Sequence, residues 1–491
     1  MTTQPKPTRR FARIVGAMAL ATAIAGTGCE SPGPPADALA VADTHTHAQT
    51  SEGSYISWKE HLIDDEQVSG GVPIRGSDGL KMADLDQDGH LDVISVHEDN
   101  HHIRIAFGAA DPDAWELVTL AEGDQAKAAE DVSIADANGD GWLDIVAACE
   151  LAHLIYFQNP GENIRTSEWP RVIPAITANR GSYIRVFFAD LNGDGHPEVI
   201  APNKGEQLPG IGGYTEKDFP DKEISWFELP ANPLEGDGWR EHVLARVKIP
   251  INSEPVDLDQ DGDLDILGGS RGEARVFWFE NLGGSSIEFK EHAIEVSGRH
   301  EEQQVGGKHL TGMNVVFHDL NADGRLDIIL QETPTTVIWL EQPEDFAKAW
   351  RIHLVGDIGP DSSTGLALAD INGDGRPDLI TGGYSENPRD RDGEEISASS
   401  RVGRLAWFEQ PADPLEPWPR HDISRRKRGM YDGFIPQDMD ADGDIDFVTT
   451  RGNSGNFDGV LWLEQVRTPQ PGKSFQPARE QESAHLPLPP G

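Results

Sequence analysis

Cysteine is almost absent: the 491 residues hold two, Cys29 and Cys149. One pair cannot supply a disulfide framework or a Cys-based zinc site. Basic residues are also scarce, with 41 Lys and Arg against 84 Asp and Glu and a net charge of −43. Phosphate backbones are bound by clustered Lys and Arg, so this balance argues against nucleic acid or an anionic membrane surface as partner. No nucleophile motif, phosphate-binding loop or catalytic zinc signature occurs. The chain is poor in leucine, and its 52 glycines, 34 prolines and 12 tryptophans suit many short strands and turns better than helices. Stability must then come from burial, hydrogen bonding and bound cations.

Residues 1–28 contain Lys6, Arg9, Arg10 and Arg13 followed by an apolar run from Ile14 to Gly26, the pattern of an export signal peptide. The run is too short to span a membrane with these flanks. It ends in Gly26-Thr27-Gly28-Cys29, which resembles a bacterial lipoprotein signal. That resemblance implies lipidation of Cys29 and membrane contact only through the lipid anchor. Cleavage by the ordinary signal peptidase is the alternative, and with either the protein is expected to be exported, to the cell envelope or beyond. Residues 29–53 read as a flexible linker and 468–491, rich in Pro, Gln and Glu, as a disordered tail. Within the linker, Asp43-Thr44-His45-Thr46-His47 resembles the first metal-binding strand of amidohydrolases. Nothing downstream alternates strand and helix as their barrel requires, so the linker reading stands.

One motif recurs seven times between residues 54 and 467: Asp-x-(Asp/Asn)-x-Asp-Gly-x-x-(Asp/Glu). Its acidic and amide positions are Asp84, Asp86, Asp88 and Asp92; Asp136, Asn138, Asp140 and Asp144; Asp190, Asn192, Asp194 and Glu198; Asp257, Asp259, Asp261 and Asp265; Asp319, Asn321, Asp323 and Asp327; Asp370, Asn372, Asp374 and Asp378; and Asp438, Asp440, Asp442 and Asp446. Carboxylates alternating along a tight turn converge on one point, and such oxygen ligands suit Ca2+. Without a cation, 24 carboxylates would repel one another in seven clusters. An EF-hand would add Glu at the twelfth position, where Ser95, Ala147, Ala201, Gly268, Leu330, Thr381 and Thr449 stand instead. An apolar, β-prone run comes directly after each loop, so the expected unit is strand, loop, strand.

Two further strands recur with each loop. One carries an aromatic, five times as Trp-(Phe/Leu)-Glu, at Trp226, Trp278, Trp339, Trp407 and Trp462. The next begins at an aromatic and in several copies carries a His: Trp115, Trp169, Trp239 with His242, Phe289 with His292, Trp350 with His353, and Trp418 with His421. A seventh copy, Trp58 with His61, precedes the first loop, and none follows Trp462. With the strands entering and leaving each loop named A and B, and these two C and D, the last repeat lacks its D while a spare D opens the chain. That order implies an all-β, seven-bladed β-propeller of four-stranded antiparallel blades, closed by the N-terminal strand joining the last blade. The tryptophans and the repeated His are expected to serve packing.

The loops and their strand context resemble the FG-GAP/VCBS repeats of integrin α subunits and secreted bacterial proteins. The resemblance implies up to seven Ca2+ sites, each using the four side chains given above and, in the first loop, the carbonyl of His90. Asn in place of Asp removes a charge, so the loops beginning at Asp84, Asp257 and Asp438 should bind tightest. Ligand recognition is expected on the opposite face, where the connections vary. Strand B ends there at His97, Glu150, Lys204, Arg271, Glu332, Tyr384 and Arg451, joined by His153, Arg180, Arg185, His309 and Arg428. Interblade salt bridging is an equal alternative for this ring. The sequence thus suggests a calcium-stabilised, monomeric binding protein for a glycan or protein. The alternative is a sugar-active enzyme like a polysaccharide lyase or aldos-2-ulose dehydratase, working at the channel mouth.

Overall fold

The computed structural model describes residues 45–166, 168–205, 219–284, 287–298, 310–385, 389–479 and 482–488. The segment expected to be an export signal, Cys29 and His309 lie outside them. Blade 1 consists of Ser77–Ala83, Asp92–His97, His102–Phe107 and Glu116–Glu122 as strands A to D. Blade 2 follows with Ala129–Ala135, Asp144–Cys149, Leu154–Phe157 and Arg171–Val172. Blade 3 comprises Phe187–Ala189, Glu198–Pro202, Asp221–Glu228 and Arg240–Lys248, and blade 4 Pro250–Val256, Asp265–Ser270, Arg275–Asn281 and Phe289–Ala293. Blade 5 is Val315–His318, Asp327–Gln331, Thr336–Glu341 and Trp350–Asp357, and blade 6 Ser362–Ala369, Asp378–Tyr384, Gly403–Phe408 and Arg420–Arg426.

Blade 7 takes Phe434–Gln437, Asp446–Arg451 and Gly459–Thr468 from the C-terminal side. Its outer strand is Tyr55–Asp65 from the N-terminal side, paired antiparallel with His61 opposite Trp462. The chain is therefore a seven-bladed propeller closed by its first strand. Two blades gain a short fifth strand: Val296–Gly298 runs parallel to strand D of blade 5, and Phe475–Gln476 runs parallel to Tyr55–Asp65. Among the described residues no helix is long and apolar enough to cross a membrane.

Both faces of each blade are covered by neighbours, so strand B is buried along its whole length in blades 1, 2, 3, 4 and 7. Such strands read as unbroken apolar runs instead of alternating ones. The core is correspondingly divided. One hydrophobic cluster joins blades 1 and 2 through Ile105, Phe107, Val132 and Ile145, another joins 5 and 6 through Trp339, Leu366 and Phe408, and a third closes 7 onto 1 through Val448, Trp462, Leu80 and Val93.

The repeated Trp, Glu and His form one device. In blades 3 to 7 the His of strand D lies directly opposite the Trp of strand C and stacks on it, with ring centroids 3.9 to 4.7 Å apart. The Glu two residues beyond each Trp shares that face of the strand. His61 pairs with Glu464 at 2.6 Å, His292 with Glu280 at 2.6 Å, His353 with Glu341 at 2.8 Å and His421 with Glu409 at 2.9 Å. The hydrogen bond of the His holds each of Glu280 and Glu409 below the usual carboxylate range.

The two flanking segments depart from expectation where they are described. Residues 45–50 alternate exposed and buried, with Thr46, Ala48 and Thr50 covered, and His45 bridges to Lys473. The tail contributes Phe475–Gln476 to blade 7 and buries Glu482 against Arg426 and Arg451, which the Pro-rich composition concealed.

Candidate functional site

Each acidic loop repeats one hydrogen-bond pattern. The first Asp accepts the N–H of the glycine five residues on, as Asp84 does from Gly89 at 3.0 Å and Asp370 from Gly375 at 2.9 Å. That glycine has positive φ in every copy, +91° at Gly89, which L side chains rarely adopt. The ninth residue is a structural tie as well as a candidate ligand. Asp92 accepts the N–H of Leu85 at 2.8 Å with one oxygen and that of Gly108, just past strand C, at 2.9 Å with the other. Asp265 and Asp446 are held in the same way.

In three loops the carboxylates converge as a cation would require. One oxygen from each of Asp84, Asp86 and Asp92 lies within 4.8 Å of the others, and the same holds for Asp257, Asp259 and Asp265 and for Asp438, Asp440 and Asp446. The fifth-position Asp88, Asp261 and Asp442, expected as ligands, stand outside these groups. Each turns an oxygen to the N–H two residues on, at 2.9, 3.0 and 3.1 Å. Asp257 Oδ1 and Asp438 Oδ1 are buried and receive no hydrogen bond, so these two loops hold oxygens that a bound cation would satisfy. Burial, reinforced by adjacent carboxylates, pushes Asp92 up to about 6 and both Asp265 and Asp446 up to about 7. The donor set fits a hard, oxygen-seeking divalent ion.

The first loop differs from the other two. The Arg165 guanidinium reaches into it, with Nε 2.6 Å from Asp86 and a terminal nitrogen 3.2 Å from Asp88, and it also bonds Glu116 at 2.8 Å. Its charge already offsets part of what a cation would neutralise. Nothing in the linear spacing of the motif places Arg165 there.

Strand A of the blades lines the propeller axis around a cavity of about 180 Å³. Its charged lining is Asp78, Lys81, Asp131, Arg185, Glu254 and Asp432. Arg185 bonds Asn314 Oδ1 at 2.7 Å and pairs with Asp432 at 3.3 Å. Burial pushes Asp78 and Asp131 up and Glu254 up to about 7. Gly79 permits the close approach there, since a Cβ would stand 2.7 Å from the Glu130 carbonyl oxygen. These residues precede the first Asp of their loops by three to six positions, a recurrence masked because their identities vary from blade to blade.

Of the twelve residues expected to ring the opposite mouth, Arg185 lines this cavity. Glu150 bonds Lys204 and lies close to Glu98 and Glu130. Arg271 acts on Lys204 through its charge. The others do not form an exposed ring. His97 is fully buried between the hydroxyls of Ser77 and Ser95, at 2.8 and 3.0 Å, and burial pushes its imidazole well down. His153 is buried and donates to the Gln125 carbonyl at 3.0 Å. Arg180 pairs with Glu241 at 2.6 Å, and Arg428 bonds Asp392 at 2.9 Å and the Ser454 carbonyl at 3.0 Å. Arg451 is buried against Glu60 and Glu482, Glu332 is buried at the end of its strand, and Tyr384 bridges to Met430. Salt bridging and packing claim Arg180, Arg428 and Arg451. His309 lies outside the described residues.

The end of strand C, or the residue or two just past it, holds a contributor the motif reading missed. Asn159, Asn281, Gln342 and Gln410, each next after the aromatic-x-(Glu/Gln) triplet, donate to the carbonyl of the second loop residue in the preceding blade: Leu85, Leu191, Leu258 and Leu320, at 2.8 to 3.0 Å. Neighbouring acidic loops are thereby tied together.

Fold and loops together define a propeller built on acidic, metal-competent turns. The FG-GAP-like repeat model matches residues 84–147, 257–330 and 319–381, and each match runs from the first Asp of one acidic loop through the next loop. The chain is thus a seven-bladed propeller, similar to FG-GAP-like repeats over those residues, with carboxylate clusters able to coordinate metal. No curated protein matches it.

Proposed function

We propose that the protein is an exported, calcium-stabilised binding protein that presents a glycan- or protein-recognising face opposite its acidic loops. The observation that carries the calcium reading is the pair of buried, unsatisfied oxygens at Asp257 and Asp438, each in a loop whose carboxylates converge. Ca2+ accepts six to eight oxygen ligands in flexible geometry, which irregular turns of this kind can supply. The blades need no further element to hold a ligand face rigid, because neighbouring blades are joined by buried clusters and by the amide ties between loops. In this reading the protein acts as a monomer, and lipidated Cys29 keeps it at the cell envelope.

The axial cavity is smaller than sites that enclose small organic ligands, roughly 300 to 1,000 Å³. At the axis, recognition is then left to the rim and the variable connections. Two of the bases that a lyase or dehydratase would have drawn on, His97 and His153, are buried and hydrogen-bonded, which favours binding over catalysis. The test is thermal melting with calcium and with EGTA, followed by glycan-array and envelope-protein capture by the calcium-loaded protein. A melting temperature indifferent to EGTA overturns the calcium reading. Unsaturated product, detected by ultraviolet absorbance on a polysaccharide panel, replaces the binding reading with the enzymatic one.

A further inference from the structure

A pocket of about 800 Å³ lies where the two ends of the chain meet. It is formed by the turn after strand D of blade 7, by the connection between Arg451 and Gly459 in the same blade, and by Arg479 and Glu482 of the tail. Asp65 ends strand D opposite Gly459, which pairs with Arg451 at the end of strand B, whereas the acidic loop enters strand B at Asp446. The pocket is therefore on the face away from the acidic loops. Its size falls among sites that enclose small organic ligands, roughly 300 to 1,000 Å³, which the axial cavity does not reach.

The turn is tightly held. Asp65 accepts the N–H of Gln67 at 2.8 Å and that of Val68 at 2.6 Å, and Gly71 donates to the Glu66 carbonyl at 2.7 Å. Asp65 also pairs with the Arg479 guanidinium, so one buried carboxylate fixes both the turn and the tail. Two lining carboxylates then have a charge partner but lack a donor. Glu482 is 3% exposed, and its Oε1 is buried, receives no hydrogen bond and stands 3.7 Å from Arg479. Glu66 Oε2 likewise is buried, receives no hydrogen bond and stands 3.5 Å from Arg75. Both separations exceed the roughly 2.7 to 3.2 Å of an N–H···O bond. Charge is thus balanced while acceptor capacity is left over, which calls for a neutral donor and not for a cation. Phe457 adds an aromatic surface to the same lining, with the Arg428 guanidinium 5.6 Å from its ring centroid.

We infer that this pocket binds a sugar residue of an uncharged glycan, with hydroxyls donating to Glu66 and Glu482 and the C–H face of the ring against Phe457. The inference rests on the binding reading above and gives it a place and a ligand class. Sugar rings combine neutral hydroxyl donors with an apolar C–H face, the same pairing that the lining presents. A cationic ligand would compete with arginines already in place, and a uronic acid would be repelled by both carboxylates. Arg75 and Arg479 are partly exposed, so each can shift to admit a hydroxyl.

The test is isothermal titration of the full-length, calcium-loaded protein with neutral cello-, malto-, manno-, galacto- and xylo-oligosaccharides. At least one series should bind the parent. Glu66→Gln keeps the shape of the side chain, removes its charge and should weaken that sugar about tenfold. Gln67→Trp, at an exposed position of the turn, should block the pocket without touching a buried group, and an unchanged melting temperature checks that the fold is intact. Retained affinity in either variant overturns this pocket and leaves the binding reading standing. Failure of all five series to bind the parent overturns the proposal. Capture of an envelope protein by the same sample would then keep the binding reading, and capture of nothing would end that reading too.

Discussion

Asp257 and Asp438 each place one carboxylate oxygen on a glycine N–H and leave the other buried without a partner. In the five loops beginning at Asp84, Asp136, Asp190, Asp319 and Asp370, that second oxygen accepts the N–H of the fifth residue instead. The difference ranks the loops. Extracellular calcium modules bind with Kd near 10⁻⁴ to 10⁻³ M, so at millimolar calcium one site adds roughly 0.4 to 1.4 kcal/mol. Asp257→Asn or Asp438→Asn should each remove about that much from calcium-dependent stability, read as a smaller rise in melting temperature on adding calcium. The first loop has the same four carboxylates but also holds Arg165 on Asp86 and Asp88. Equal affinity for all three all-Asp loops, the expectation from charge count, should therefore fail. Arg165→Ala should tighten calcium binding at the first loop, measured by isothermal titration, whereas a variant unchanged or weakened in affinity would assign Arg165 a purely structural place.

Loop and strand B together produce a pH dependence of the calcium-free protein. The ninth-position carboxyls Asp265, Asp327, Asp378 and Asp446 are raised to about 7, chiefly by burial and then by their acidic neighbours. A carboxyl that binds its proton more tightly in the folded state stabilises the fold fully below its unfolded value near 3.9, and that contribution is lost as pH rises through 7. In EGTA the melting temperature should fall between pH 6 and pH 8, and saturating calcium should flatten the fall. A chelated protein equally stable at both values would show that the loops relax without their ion. Between blades, Gln342 donates to the Leu258 carbonyl at 2.9 Å while its own N–H meets Asp327 at 3.0 Å. Gln342→Ala strands that carbonyl and should cost about 1 to 3 kcal/mol, seen as a lower urea midpoint at unchanged slope. The strand pattern was legible because Trp, Glu and His recur at fixed spacing. The amide following the triplet was not singled out, because it alternates between Asn and Gln and is Leu229 in blade 3.

At the scale of the ring, blade number and closure could be read from linear order alone, since a D strand before the first loop and none after the last leaves one way to complete seven sheets. The ligand face could not. His97, Arg428 and Arg451 are polar residues at strand ends, which suggests exposure, yet all three are buried, because neighbouring blades and the C-terminal segment cover those ends. The covering is most consequential where the ring closes. Glu60 of the N-terminal strand meets Arg426 of blade 6 at 2.6 Å and Arg451 of blade 7 at 3.3 Å, and Glu482 from the tail meets Arg451 at 2.5 Å. Burial alone would raise Glu60, but the two guanidiniums outweigh it and hold its carboxyl at about 2. Each arginine is therefore balanced by both ends of the chain. Deleting residues 471–491 would remove Glu482 together with Phe475–Gln476, which lie beside Tyr55–Asp65. Two buried guanidiniums would then share one carboxylate. Breaking a buried pair in this way typically costs about 3 to 5 kcal/mol. The truncated protein should unfold at lower urea, and limited proteolysis should cut first near Tyr55–Asp65, because the strand that closes the ring has lost its outer partner. Glu482→Gln, which keeps the segment and removes only the charge, should reproduce part of the loss. A truncation with an unchanged midpoint and cleavage pattern would show that antiparallel pairing with Gly459–Thr468 is enough to hold the ring shut.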